Sequence, residues 1–164
     1  MMMPEFVTIG VYGFDEAGFF QALEAAGVDT FCDIRRRRSV RGSAYAFANS
    51  QRLQGRLAEL GIRYIYRYDL APSLDVRRAQ EAADKESKTT KRKRTALGAA
   101  FVEAYRRECL DGFDSHQFVA DLGEESRVVA LFCVERLPAA CHRSLVAERL
   151  EVELGATVRH LLPG

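Results

Sequence analysis

The sequence has no apolar run that approaches the roughly 20 residues needed to cross a lipid bilayer. Its start, at residues 1–5, has neither the basic segment nor the apolar segment of a secretory signal. Internal repeats and low-complexity tracts are missing as well. We therefore expect a cytoplasmic protein that makes no membrane contact.

The chain has almost no excess of either charge. Its 24 lysines and arginines nearly balance 23 aspartates and glutamates, which leaves a formal net charge of +1. Total charge therefore points to no class of partner. With 164 residues, of which 48% are hydrophobic and 29% charged, the chain has the composition of a folded protein. We expect one domain over residues 1–164 that buries its own core without disulfides or metals.

Cysteines are few, and several familiar motifs are missing. Cys32, Cys109, Cys133 and Cys141 lie in apolar periodic segments of a medium-sized domain, so we expect free thiols rather than a disulfide framework. There is no glycine-rich phosphate cradle and no serine elbow. Neither Cys133 nor Cys141 begins a phosphatase loop, in which an arginine follows the cysteine after five residues. These absences weaken the case for the corresponding enzyme classes.

The sequence does contain an alternation of strand and helix patterns. Hydrophobic runs predict strands at residues 6–11, 28–34, 62–68, 128–134 and 156–162. Helical periodicity predicts a helix capped by Asp15 and ended by Gly27, a second capped by Asn49 and ended by Gly61, and further helices at 97–109, 115–122 and 144–154. Residues 77–94 contain almost no large apolar side chain, which predicts a charged, exposed insertion or mobile loop. We therefore predict an α/β fold: a single domain with an open, mostly parallel, Rossmann-like five-stranded sheet and helices on both faces.

Polar residues follow three of the predicted strands, at the edge where ligands gather in open parallel sheets. Tyr12 follows the first strand, Asp33 and Arg35 end the second, and Cys133 and Glu135 end the fourth. Strand alternation places Asp33 and Arg35 on one side of the sheet, and Cys133 and Glu135 likewise on one side.

The chain returns to this edge at Cys141, His142 and Arg143. If the helix begins near Ala140, the free N–H groups of its first turn and the positive end of its dipole lie beside His142 and Arg143 and favour an anion. We therefore expect an anion-binding crevice for a small anionic or nucleotide-like ligand that carries phosphate. The residues predicted to line it are Tyr12, Asp33, Arg35 and Arg143.

Catalysis in this crevice is one hypothesis among several. A helix start lowers the pKa of a thiol, so Cys141 is the predicted nucleophile or redox thiol, with Glu135 and His142 as proton carriers. Alternatively, Cys133, Glu135, Cys141 and His142 form a structural metal site. The spacing argues against zinc, because seven residues separate the cysteines and adjacent Cys141 and His142 diverge if both are helical. A third reading is purely structural, with Cys133 in the core and the charges in ion pairs. The sequence identifies no cofactor.

A non-catalytic nucleic-acid-binding module is the remaining alternative. Two basic loops, 35–41 and 88–94, are placed to flank one crevice and to contact phosphates. Tyr45 and Phe47 are candidates for stacking on a base. The near-neutral total charge argues against a dedicated binder. The contact residues in this alternative are Arg36, Arg37, Arg38, Lys91, Arg92, Lys93 and Arg94.

A set of short motifs, taken in order, resembles the domain of unknown function 488 (DUF488) family. They are "TIG" at 8–10, "DIR" at 33–35, "GIRY" at 61–64, and "CVE…CHR" at 133–143 followed by "LVAERL". The resemblance covers nearly the whole chain and implies a small prokaryotic α/β protein, without implying a reaction. The arginine-rich stretch 36–48 departs from the usual family pattern, so the chain resembles an arginine-rich subgroup. The functional centre that the resemblance implies is Asp33, Arg35, Glu135, Cys141, His142 and Arg143.

Overall fold

The computed structural model describes residues 3–91 and 93–164, and its centre is a five-stranded sheet. The strands are β1 Glu5–Ile9, β2 Thr30–Asp33, β3 Arg63–Tyr66, β4 Val128–Phe132 and β5 Val158–Leu161. They lie in the order β3-β2-β4-β1-β5, and every neighbouring pair is parallel. This confirms the predicted open α/β sheet.

Helices connect the strands. Within the described residues they are α1 Glu16–Ala25, α2 Ser50–Glu59, α3 Leu74–Glu86, α4 Ala99–Tyr105, α5 Ser115–Leu122 and α6 Arg143–Leu154. A π-helical turn, Arg106–Leu110, follows α4, and a 3₁₀ turn, Pro138–Ala140, precedes α6. The Asp15 carboxylate caps α1 as predicted, accepting a hydrogen bond from the Gly18 N–H at 2.7 Å. None of these helices has the length and apolar character that a bilayer span requires.

The central strands are buried on both faces. All of β2, and all but the first residue of β1 and β4, are buried. Since successive strand side chains point to opposite faces, the sheet is covered on both sides. The ring of Phe19 in α1 packs against Phe31, Phe47 and Phe132, with centroid distances of 5.2 to 6.3 Å.

The carboxyl ends of three strands meet because β4 lies between β1 and β2. Phe132, the last residue of β4, pairs in register with Ile9 of β1 on one side and with Asp33 of β2 on the other. The segments that follow Ile9, Asp33 and Phe132 therefore begin at one edge of the sheet. This edge is where ligands bind in open parallel sheets.

Residues 77–94 were predicted as a charged, exposed insertion or mobile loop. The structure shows that this segment is helical as far as Glu86, where α3 ends. The buried face of this helix carries Gln80 and Asp84. The Gln80 amide donates to Asp84 at 2.7 Å and accepts from the Gly98 N–H at 2.8 Å. Hydrophobic periodicity did not predict this helix because polar side chains, satisfied by distant partners, occupy part of its inner face.

Candidate functional site

A buried ion pair between Asp33 and Arg35 lies at the carboxyl end of β2. The Arg35 Nε and Nη2 atoms donate to the two Asp33 oxygens, both at 2.9 Å, and Nη1 donates to the Ala48 carbonyl at 2.8 Å. Tyr64 OH donates to Asp33 at 2.6 Å, and the guanidinium lies 4.6 Å from the Phe132 ring centroid. Arg35 and Asp33 are 1% and 0% exposed. Arg35, predicted to bind an anion, therefore has all three of its nitrogens bonded to protein oxygens.

Arg143 is fully buried and fixes the loop that follows β4. Its Nη1 donates to the Glu135 carbonyl at 2.6 Å, and its Nη2 donates to the Arg136 carbonyl at 3.2 Å. Gly10 makes this close packing possible, since a Cβ atom there would lie 1.9 Å from the Glu135 carbonyl oxygen. Arg143 therefore holds two backbone carbonyl groups in place, whereas the sequence predicted that it contacts an anion.

The helix start differs from the predicted anion site. Helix α6 begins at Arg143 rather than near Ala140, because the 3₁₀ turn Pro138–Ala140 takes the place of the expected first helical turn. The Ala140 and Cys141 N–H groups, at the expected start of the helix, donate to the Leu137 and Pro138 carbonyls, both at 3.0 Å. These N–H groups are therefore hydrogen-bonded to carbonyl groups of the same chain.

Two cysteines and a histidine form a buried cluster beyond β4. The His142 Nδ1 atom lies 3.5 Å from Cys133 Sγ and 3.8 Å from Cys141 Sγ. Its Nε2 atom lies 2.8 Å from the Ile34 carbonyl oxygen, which can only accept. Nε2 therefore carries the proton in the neutral ring, and the Nδ1 lone pair faces both sulfur atoms. Glu135 adjoins the cluster, with Oε2 3.6 Å from Cys133 Sγ.

Backbone conformation explains how adjacent Cys141 and His142 converge. Cys141 is extended, with φ −136° and ψ 146°, whereas His142 is helical, with φ −62° and ψ −16°. The sequence argument against a shared metal assumed that both residues were helical. That assumption is wrong, because the chain enters α6 from an extended residue.

The burial of the cluster shifts its protonation equilibria. Burial raises the pKa of Cys133 well above its usual value. Burial alone would also raise the pKa of Cys141, but the hydrogen bond with Cys133 and the charges of His142 and Arg143 lower it well below the usual value. Burial opposes protonation of His142, yet the charge of Cys141 raises its pKa. Burial, followed by the charge of Cys141, raises the pKa of Glu135. The pKa values of the two cysteines are therefore shifted in opposite directions.

Arg94 ties this cluster to α3. Its Nη2 donates to Glu135 Oε1 at 2.5 Å, its Nη1 to Asp84 Oδ2 at 2.9 Å, and its Nε to the Ala140 carbonyl at 3.0 Å. The Arg94 and Glu135 side chains are only 10% and 5% exposed. The sequence predicted Arg94 as a nucleic-acid contact, but these bonds hold the Glu135 carboxylate in place.

The other basic residues of the nucleic-acid alternative lie in varied surroundings. The guanidinium groups of Arg36 and Arg38 lie over the rings of Tyr68 and Tyr66, at 6.0 and 4.3 Å from the centroids. Arg37, Lys91 and Lys93 are exposed, and Arg92 lies outside the described residues.

The two aromatic residues proposed for base stacking both pack against other rings of the protein. Phe47 is buried in the core against Phe19 and Phe20, so its ring is not available to a base. Tyr45 is half-buried, and its ring packs edge-on against Tyr12 with a centroid distance of 5.3 Å. The stacking half of the nucleic-acid hypothesis is therefore weaker than its phosphate-contact half.

Two pockets open at the carboxyl edge of the sheet. The first, of about 380 Å³, is lined by Cys133, Glu135 and His142 together with charged residues of α3. The second, of about 510 Å³, is lined by both basic loops and is called the cationic pocket below. Arg77 and Lys91 line both pockets. Cys141, the predicted nucleophile, is fully buried and lines neither of these two pockets, whereas Cys133 lines the first.

Sequence reasoning missed Arg77 and the role of Asn49. Asn49 was predicted to cap α2, but its side-chain oxygen accepts from the Val40 N–H at 2.8 Å and so anchors loop 35–41. Arg77 was missed because α3 was not predicted. Ser73 is the signal that could have revealed this helix, since its hydroxyl caps α3 by accepting from the Val76 N–H.

These observations define an open, all-parallel α/β protein with a Cys-His cluster and a cationic pocket at the carboxyl edge of its sheet. Residues 17–150 match the family described as "Domain of unknown function DUF488". The chain therefore belongs to the DUF488 family. No curated protein and no solved structure gave a significant match.

Proposed function

We propose that the chain binds a small, nucleotide-like molecule that carries phosphate, and that this phosphate lies in the cationic pocket. One observation carries the proposal: of the described residues, five cationic side chains and no carboxylate line this pocket. Such a lining focuses positive potential inside a concave site. Its volume of about 510 Å³ lies within the range of small-molecule sites. The five cationic residues are Arg35, Arg37, Arg41, Arg77 and Lys91.

The cations have different tasks in this proposal. Arg35, held by Asp33, supports the wall of the pocket rather than contacting ligand. Arg37, Arg77 and Lys91 form no salt bridge with a carboxylate of the described residues. Their charges therefore remain to meet an anion, and arginine forks match phosphate oxygens well. In the arginine-rich subgroup to which we assign the chain, loop 35–41 supplies this binding capacity.

The position of the first pocket, beside the cationic pocket, suggests that binding serves a reaction. Because Arg77 and Lys91 line both pockets, a molecule anchored by its phosphate can extend into the first one. There it meets the thiol of Cys133, the carboxyl group of Glu135 and the imidazole of His142. Enzymes build acid–base and metal-dependent chemistry from these groups. We infer that the first pocket is the catalytic part of the site.

Pyrophosphate binding tests the proposal. We expect inorganic pyrophosphate to bind in a calorimetric titration at low salt, and Arg77→Gln or Lys91→Gln to weaken its affinity about tenfold or more, since each removes a charge-assisted contact. The matched controls are Arg78→Gln on the same helix and Lys93→Gln on the same loop, because neither side chain lines the pocket. Melting temperatures should stay close to that of the parent chain.

Two outcomes would contradict this assignment. Undetectable pyrophosphate binding would remove the phosphate site, and equal losses in all four variants would make the attraction a general surface charge effect.

A single-stranded oligonucleotide is the second probe. Oligonucleotide binding that falls steeply with salt and weakens equally in all four variants would favour the nucleic-acid-binding module instead.

A further inference from the structure

The sulfur and nitrogen atoms of Cys133, Cys141 and His142 have the spacing of metal ligands. The three donor atoms all lie within 4.8 Å of one another. The nitrogen-to-sulfur distances are 3.5 and 3.8 Å. A tetrahedral zinc ion with bonds of about 2.3 Å to sulfur and about 2.0 Å to nitrogen separates such donors by about 3.6 Å. The two nitrogen-to-sulfur distances thus match this geometry to within a few tenths of an ångström.

The orientation of His142 supports the same reading. Metal-binding histidines usually donate their other ring N–H to a carbonyl or carboxylate, which fixes the tautomer and the ring plane. His142 does this through Nε2 and the Ile34 carbonyl at 2.8 Å, so Nδ1 is the coordinating atom. Ile34 follows β2, whereas both cysteines follow β4, so two strand ends cooperate in building the cluster.

The cluster borders the first pocket. Glu135 lies beside the cluster, with Oε2 3.6 Å from Cys133 Sγ, and Arg94 holds its other oxygen. Cys133, Glu135 and His142 line the pocket, so the cluster can be reached from solvent on that side. Three protein ligands with one position open to a pocket is the pattern of catalytic zinc, whereas structural zinc is closed by four.

We propose that Cys133, Cys141 and His142 bind one zinc-class divalent ion, with a fourth position left open to the first pocket beside Glu135. Two thiolates and an imidazole select zinc over the hard cations magnesium and calcium. This inference goes beyond the phosphate site and does not depend on it. It also gives fully buried Cys141 a role that needs no access to substrate, because a metal-coordinating side chain has to contact only the ion.

Metal binding by the intact, reduced chain tests this proposal directly. We expect the chelator-treated protein to take up one equivalent of Zn²⁺ in competition with a chromophoric chelator, and zinc to raise its melting temperature. With Co²⁺ we expect thiolate-to-cobalt charge-transfer absorption and d–d bands of tetrahedral intensity. Both measurements use the parent chain, so they remain decisive if variants fold poorly.

Variants assign the ligands. Cys133→Ser and Cys141→Ser should each weaken zinc binding by more than the roughly 10–100-fold that loss of an outer partner costs. Cys109→Ser, which alters a partly exposed cysteine outside the cluster, is the matched control and should keep one equivalent.

Several results would overturn the metal site. They are failure to compete for zinc, a cobalt spectrum without the thiolate band, or equal loss of zinc in Cys109→Ser. A Cys133–Cys141 disulfide in a protein that binds no zinc after reduction would identify the cluster as a redox thiol pair instead. Pyrophosphate binding is measured on zinc-free protein, so either proposal can fail without the other.

Discussion

Replacing Asp33 with alanine should lower the free energy of unfolding by about 3–5 kcal/mol, because it leaves the Arg35 guanidinium buried without its counter-ion. Asp33 accepts from Arg35 Nε and Nη2, and from Tyr64 OH. Alanine removes both acceptor oxygens at once and leaves these three donors without their partner. Urea denaturation monitored by circular dichroism measures the change.

The chain contains a matched control for this prediction. Arg67 and Asp69 are also two residues apart and form the same two-point pair, with both contacts at 2.8 Å. Their side chains are 23% and 60% exposed, so water replaces what is lost. Asp69→Ala should cost less than about 1 kcal/mol. Similar losses in Asp33→Ala and Asp69→Ala would show that burial does not make the Asp33–Arg35 pair special.

Gly10→Ala should be comparably damaging, for a steric reason. The added Cβ atom would lie 1.9 Å from the Glu135 carbonyl oxygen and 3.0 Å from Arg143 Nη1. A backbone atom cannot move aside as a flexible side chain can. We expect a loss above the range of about 1–3 kcal/mol that is typical of overpacking. If the cluster binds zinc as proposed, its zinc affinity should also fall, because the loop that carries Cys133 and Glu135 must shift.

Gly55→Ala is the control for the glycine prediction. Gly55 lies inside α2, and a Cβ atom there would meet nothing within 4 Å. Alanine is the better helix former, so this variant should be more stable by about 0.5–1 kcal/mol. The two substitutions are chemically identical, and thermal unfolding should change in opposite directions. A Gly10→Ala protein with parent-like stability and zinc affinity would contradict the packing described for Arg143 and Glu135.

Both predictions concern residues that support the site without touching ligand. Asp33 keeps Arg35 beneath the cationic pocket, and Gly10 lets Arg143 hold the Glu135 backbone against β1. If the two proposals hold, the site has a phosphate-binding half built on loop 35–41 and a metal-binding half built after β4. Arg77 and Lys91, which line both pockets, join the two halves.

Much of the fold could be predicted from the sequence because it depends on local patterns. Five apolar runs marked the strands, and the carboxyl ends of three of them marked the edge of interest. Helix α3 was missed because its inner face uses Gln80 and Asp84, whose partners lie at Gly98 and Arg94. A polar inner face leaves no hydrophobic period to detect.

The sequence by itself determined the alternation of strands and helices, and thereby the edge at which Asp33, Glu135 and His142 gather, because burial imposes a period on each element. Only the tertiary structure decided what each charged or thiol group does there. Arg35, Arg94 and Arg143 were predicted from the sequence to contact an anion or nucleic acid, yet each donates to oxygen atoms that the fold supplies. Whether a side chain faces solvent, a partner or a pocket depends on atoms brought from distant parts of the chain, and no local pattern encodes that geometry.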